Sequence, residues 1–154
     1  MPRTDTASRV VAAPVDRVFG ALVDRDVLLE WLPPAGMTGR FDHFDARPGG
    51  SYRLVLTLDD PASGLGKATA DSDVVDARFV EIVEDERVVQ AVDFESDRPE
   101  FAGTMTMVWE VAGVADGTLV RITATDVPDG ISAEDHAAGL ASSLANLATY
   151  LESA

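Results

Sequence analysis

Leucines at 140, 144, 147 and 151 recur at intervals of four, three and four, which places them along one face of an α-helix. The spacing predicts a continuous helix from Ser132 to Glu152. Ser132 is a good N-cap, and Glu134 and Asp135 follow at the positive end of the helix dipole. Alanines at 137, 138, 141, 145 and 148 keep the flanks of the stripe thin and permit close approach to a sheet. An amphipathic helix must lay its stripe on another layer, and what precedes this one is a run of strands.

Ser51–Leu58 alternates, with Tyr52, Leu54, Leu56 and Leu58 on one face and Arg53 and Thr57 on the other. Thr104–Val111 is the plainest strand, with Met105, Met107, Trp109 and Val111 on one side. Thr6–Ala13, Gly39–Ala46, Asp73–Glu84, Arg87–Phe94 and Leu119–Thr125 complete the strands. Arg47-Pro48-Gly49-Gly50 and Asp116-Gly117 are tight turns, and Asp45 and Arg47 are placed to pair across the first. Between the first two strands, Pro14 opens a helix with Val15, Val18, Phe19 and Leu22 at helical spacing. Asp24 and Asp26 break it and cap a second helix, Val27–Leu32, which Pro33-Pro34 stops. Residues 59–71 carry Pro61, Gly64 and Gly66 and are expected to form a weakly packed loop.

The order is one strand, two short helices, six strands and a long helix, without internal repeats or a break in composition. It predicts a single α+β domain over residues 1–154, with an antiparallel sheet covered by the last helix. A chain of 154 residues with 46% hydrophobic and 25% charged residues is large enough for a proper core.

Composition narrows function. There is no cysteine, so disulfides, thiolate nucleophiles and cysteine metal sites are excluded. The net charge is −15, which repels phosphate backbones, and the arginines are scattered from Arg3 to Arg121; no nucleic-acid partner is expected. Met1–Asp5 lacks the basic and apolar parts of a secretory signal, and no apolar run reaches the roughly 18–20 residues of a membrane span. The expectation is a cytoplasmic protein with no membrane contact. Lys67 as the sole lysine reads as the codon bias of a GC-rich, bacterial genome.

No constellation for covalent or metal chemistry stands out. His43 and His136, on different elements, give two metal ligands at most, so neither a metal nor a cofactor is expected. Ser142 and Ser143 lie in the long helix, Ser143 on its surface face, and no strand-to-helix nucleophile motif exists. Arg47-Pro48-Gly49-Gly50 joins two strands and is no phosphate loop. Glu81 faces inward or outward according to whether its strand is bulged, and the exposed position is the expected one. His136 precedes Leu140 by four and shares its stripe. It serves either as a polar anchor or acid/base group in a cavity or as a partner of a backbone carbonyl near the helix start.

The element order resembles the START-like (helix-grip, SRPBCC) superfamily. Six phrases narrow the likeness: Ala13-Pro14-Val15-Asp16-Arg17-Val18-Phe19, Glu30-Trp31-Leu32, Asp45-Ala46-Arg47-Pro48-Gly49-Gly50-Ser51-Tyr52-Arg53, the stretch Val80–Val89, Gly117–Thr123 and His136-Ala137-Ala138-Gly139. From about Val10 to Leu151 they resemble the family named after the activator of heat-shock protein 90 ATPase, in its bacterial single-domain form. One departure is Leu140, where the family commonly has tryptophan.

The resemblance implies a curved sheet of about seven strands wrapped around the C-terminal helix, too concave for the helix to fill. Trp31, Tyr52, Phe79, Met105, Met107, Trp109, His136, Leu140 and Leu144 are then the candidate lining of a ligand cavity. It implies binding or carriage of a small apolar or aromatic molecule, by a monomer or homodimer. The alternatives are a cyclase- or hydrolase-like enzyme using His136 as acid/base, and a co-chaperone-like modulator of a heat-shock ATPase.

Overall fold

The computed structural model describes residues 3–33, 37–58, 72–94, 103–128, 130 and 132–152. Its elements run β1 (Thr4–Val11), α1 (Val15–Val23), α2 (Arg25–Trp31), β2 (Met37–Phe44), β3 (Ser51–Leu58), β4 (Ser72–Val83), β5 (Arg87–Phe94), β6 (Gly103–Val114), β7 (Gly117–Thr125) and α3 (Ala133–Glu152). The helix expected over Ser132–Glu152 is α3, and Ser132 caps it by accepting the Asp135 amide at 3.0 Å. Pro14 sits at the N-cap of α1, one residue ahead of the first helical turn. The Asp24 side chain accepts the amides of Asp26 and Val27, which ends α1 and starts α2. The loop expected over residues 59–71 lies outside the described residues.

Seven strands form one antiparallel sheet in the order β1-β7-β6-β5-β4-β3-β2. Neighbours in sequence are neighbours in space except at β1, which crosses the whole chain to pair with β7, Thr4 opposite Thr125 through Val11 opposite Thr118. Bulges between Phe41 and His43 and between Phe79 and Glu81 bend the sheet. The second bulge settles the register of β4. Glu81 is exposed and pairs with Arg87, while Phe79 points into the core.

Two turns need glycine. At the β2–β3 turn Gly49 has φ +87°, and a Cβ on Gly50 would lie 2.2 Å from the Asp45 carbonyl oxygen. Arg47 and Asp45 pair across this turn at 2.7 Å. Gly117, at φ +141°, lets the β6–β7 hairpin press against the end of β1.

The two faces of the sheet differ chemically, which fixes the register. The outer face carries cross-strand ion pairs, Arg53 with Asp76 and Arg78 with Asp93. The inner face carries Tyr52, Leu54 and Leu56 from β3 and Val120, Ile122 and Ala124 from β7, all buried. Leu140, Leu144, Leu147 and Leu151 are buried with them, each such side chain contributing about 1.5–3 kcal/mol by leaving water. Helix α3 packs against β1, α2 and α1. Its end is tied to the same edge, where the Glu152 carboxylate accepts the Ala12 amide and Arg17 donates to the Leu151 carbonyl.

Candidate ligand cavity

The stripe of α3 turns Leu144, Leu147 and Leu151 into the core on the β1 side of the sheet, while Leu140 and the neighbouring helix face look across β3–β6. That second face presents His136, Gly139, Ser142, Ser143 and Asn146, side chains too short or too polar to close on an apolar floor. A cavity of about 390 Å³ results, within the range of roughly 300–1,000 Å³ typical of small-molecule sites. A Cβ built on Gly139 would meet no atom within 4 Å, so the glycine is a notch in the roof.

The floor is Leu54 and Leu56 of β3, Val75 of β4, Val88, Gln90 and Val92 of β5, and Met105, Met107 and Trp109 of β6. Leu22, Leu28, Trp31 and Leu32 close one end. Trp31 is held there because its indole N–H donates to the Ala21 carbonyl at 3.0 Å. It meets Trp109 edge to face, ring centroids 5.7 Å apart. Tyr52 also lines the space, and burial pushes its phenol up to about 12, so it stays neutral.

Besides Ser142, Ser143 and Asn146 on α3, Gln90 and His136 interrupt the apolar lining. Gln90 is 8% exposed and has no hydrogen-bonding side-chain contact to another described residue; its remaining surface opens on the cavity. His136 lines the wall with its side chain 12% exposed, and its Nδ1 lies 2.7 Å from Oδ2 of Asp5 on β1. The same carboxylate oxygen accepts from Arg3 Nε at 3.2 Å and Nη2 at 3.1 Å. Burial raises the carboxyl pKa of Asp5, but the hydrogen bonds from His136 and Arg3 outweigh it and hold the group below its ordinary value.

Seven of the nine residues expected to line a cavity do so: Trp31, Tyr52, Met105, Met107, Trp109, His136 and Leu140. Phe79 and Leu144 do not. Phe79 is 1% exposed and packs into an aromatic cluster with Tyr52 and Phe44, ring centroids 5.7 and 6.0 Å away. Leu144, also 1% exposed, is directed into the solid core. Ser143 belongs to the cavity wall instead of the surface. The partner of His136 is a carboxylate of β1, not a backbone carbonyl. His43 is exposed on β2 and bonds Ser51 Oγ at 3.0 Å, far in sequence and fold from His136. Among the described residues no three acidic or histidine side chains gather as a metal site.

Sequence reasoning missed Gln90, Asp5, Gly139 and Asn146. Gln90 had a signal, as the single polar residue in the inward register Val88-Gln90-Val92. Asp5 had none, because the first strand was expected to begin at Thr6 and begins at Thr4.

A seven-stranded antiparallel sheet closed over a C-terminal helix, with two short helices after β1, defines a helix-grip domain of the START-like class. The chain belongs to the family of Activator of Hsp90 ATPase homolog 1-like proteins, whose model matches residues 12–152. The structure is similar to protein CV1439 of Chromobacterium violaceum, with 30% identity, TM-score 0.82 and 97% of this chain matched to 96% of that one. It is also similar to the AHSA1-like protein of Aeromonas hydrophila, at 16% identity and TM-score 0.78, over 98% and 93% of the two chains. DynU16, a protein in the dynemicin biosynthetic locus, shares the fold at 22% identity and TM-score 0.69; 97% of this chain matches 47% of that one. No curated protein matches the chain by sequence. Among the described residues no helix is long and apolar enough to cross a membrane.

Proposed function

We propose that the protein binds or carries a small, mainly apolar or aromatic molecule between the sheet and α3. The observation that carries this reading is the cavity itself, about 390 Å³ with a floor that is apolar except for Gln90. Met105 and Met107 give that floor a polarizable, adaptable surface suited to irregular ligands. A ligand lying on them comes close to Trp109, so binding is read by tryptophan fluorescence. Titration with an uncharged naphthylamine fluorophore should be saturable and should quench Trp109. Met107→Trp should fill the space, abolish that binding and leave stability nearly unchanged. Without a cavity, the same substitution overpacks the core at about 1–3 kcal/mol, and the fluorophore never binds.

The Asp5–His136 pair favours a second reading, an enzyme of the cyclase kind in which His136 moves a proton on a bound substrate. Turnover of a candidate substrate, lost in His136→Ala, separates it from carriage.

A further inference from the structure

Resting on the cavity-binding reading, we propose that the cavity selects ligands bearing an acidic hydroxyl, a phenol or an enol, and takes the hydroxyl proton onto Nε2 of His136. A carboxylate only accepts hydrogen bonds, so the 2.7 Å contact with Asp5 requires the hydrogen of the neutral ring to sit on Nδ1. The other ring nitrogen, Nε2, is then the acceptor, on a side chain that lines a largely apolar cavity. Arg3 fixes the arrangement from behind through its two contacts to the same Asp5 oxygen.

The charges balance for an acidic guest. With the imidazole in its neutral form, Arg3, ionised Asp5 and His136 sum to zero. When a ligand O–H bond breaks and an Nε2–H bond forms, the electron pair stays on the ligand oxygen. The protein group becomes +1 opposite a −1 oxyanion, and the Asp5 carboxylate already sits beside the ring that gains the charge. An apolar guest without a hydroxyl leaves Nε2 facing hydrocarbon, with its hydrogen-bonding capacity unmet.

Gln90 supplies the complement on the floor. Gln90 as a whole is 8% exposed; its amide has no partner among the described residues and both donates and accepts. It suits a second oxygen, carbonyl or hydroxyl, on the same molecule. Asp5 is a positioning residue here, acting through His136.

The test uses 4-nitrophenol, whose protonated and ionised forms absorb at different wavelengths, and 4-nitroanisole, which has the same shape without the acidic hydrogen. At a pH where the free phenol is mostly protonated, adding protein should raise the phenolate band, and 4-nitrophenol should bind about tenfold more tightly than 4-nitroanisole, the worth of one hydrogen bond. His136→Leu should remove both the band and the preference. The isosteric Asp5→Asn, which keeps the cavity shape if His136→Leu fails to fold, should weaken the band, a readout that a purely structural role leaves in place. Equal binding of the two probes with no phenolate band overturns the proposal. If neither probe binds while the uncharged fluorophore does, the proposal falls and the cavity reading stands; if the fluorophore also fails to bind, both fall.

Discussion

The two sides of the sheet meet α3 on different terms. On the β1–β7 side, Val120, Ile122, Ala124 and Leu147 are completely shielded, and Leu144 and Leu151 nearly so. On the β3–β6 side, the floor is apolar except for Gln90 but faces Gly139, Ser142, Ser143 and Asn146 across about 390 Å³ of space. One helix thus does two jobs, closing the core with its leucine face and roofing a cavity with the face beside it. The difference arises from side-chain size and polarity on two neighbouring faces of α3, since one sheet runs beneath both.

Truncations should expose the contrast most sharply. Leu147→Ala opens a void in solid core and should cost about 2–5 kcal/mol by urea unfolding. Leu56→Ala enlarges a space that already exists and should cost about 2 kcal/mol or less. Equal losses at the two positions would mean that the cavity side is as tightly filled as the other.

Acid unfolding tests the polar end of the cavity. Asp5 is held below its ordinary value of 3.8, so its contribution to stability is fully present above that value and is lost as pH falls through the depressed folded value. Asp93, lowered by hydrogen bonds from Arg78 and Thr104, acts in the same direction. Asp5→Asn should therefore flatten, without abolishing, the fall in urea midpoint between about pH 5 and 2. An unchanged slope would show that the His136–Asp5–Arg3 contacts do not persist in solution.

The smallest effect is expected at Gly139. Alanine there meets no neighbour and improves helix propensity, so Gly139→Ala should stabilise the fold by about 0.5–1 kcal/mol with ligand binding retained. Destabilisation would mean that the notch in the roof is occupied by protein.

These differences also mark what was legible in the sequence. Periodicity reports which way a side chain points, so the leucine stripe of α3 and the alternation of β3 and β6 gave the architecture and the inward face. Periodicity does not report what lies opposite. Phe79 and Leu144 point inward as expected, yet they meet solid core, while Met105 and Met107 meet space. That distinction depends on residues far apart in the chain, such as Gly139 and Asn146 standing opposite β5 and β6. The Asp5–His136 contact joins positions 131 residues apart through the β1–β7 pairing, and no local pattern announces it. Gln90 was the exception, a polar residue in an apolar register that could have been singled out from its neighbours alone.

The most direct measurement of the hollow side is a methyl NMR titration with the uncharged naphthylamine fluorophore, using labelled methionine and leucine. The methyl signals of Met105 and Met107 should move to saturation together with quenching of Trp109, while those of Leu147 and Leu151 stay in place. Shifts concentrated on Leu147 and Leu151, or no saturable shift at Met105 and Met107, would contradict a ligand cavity between β3–β6 and α3.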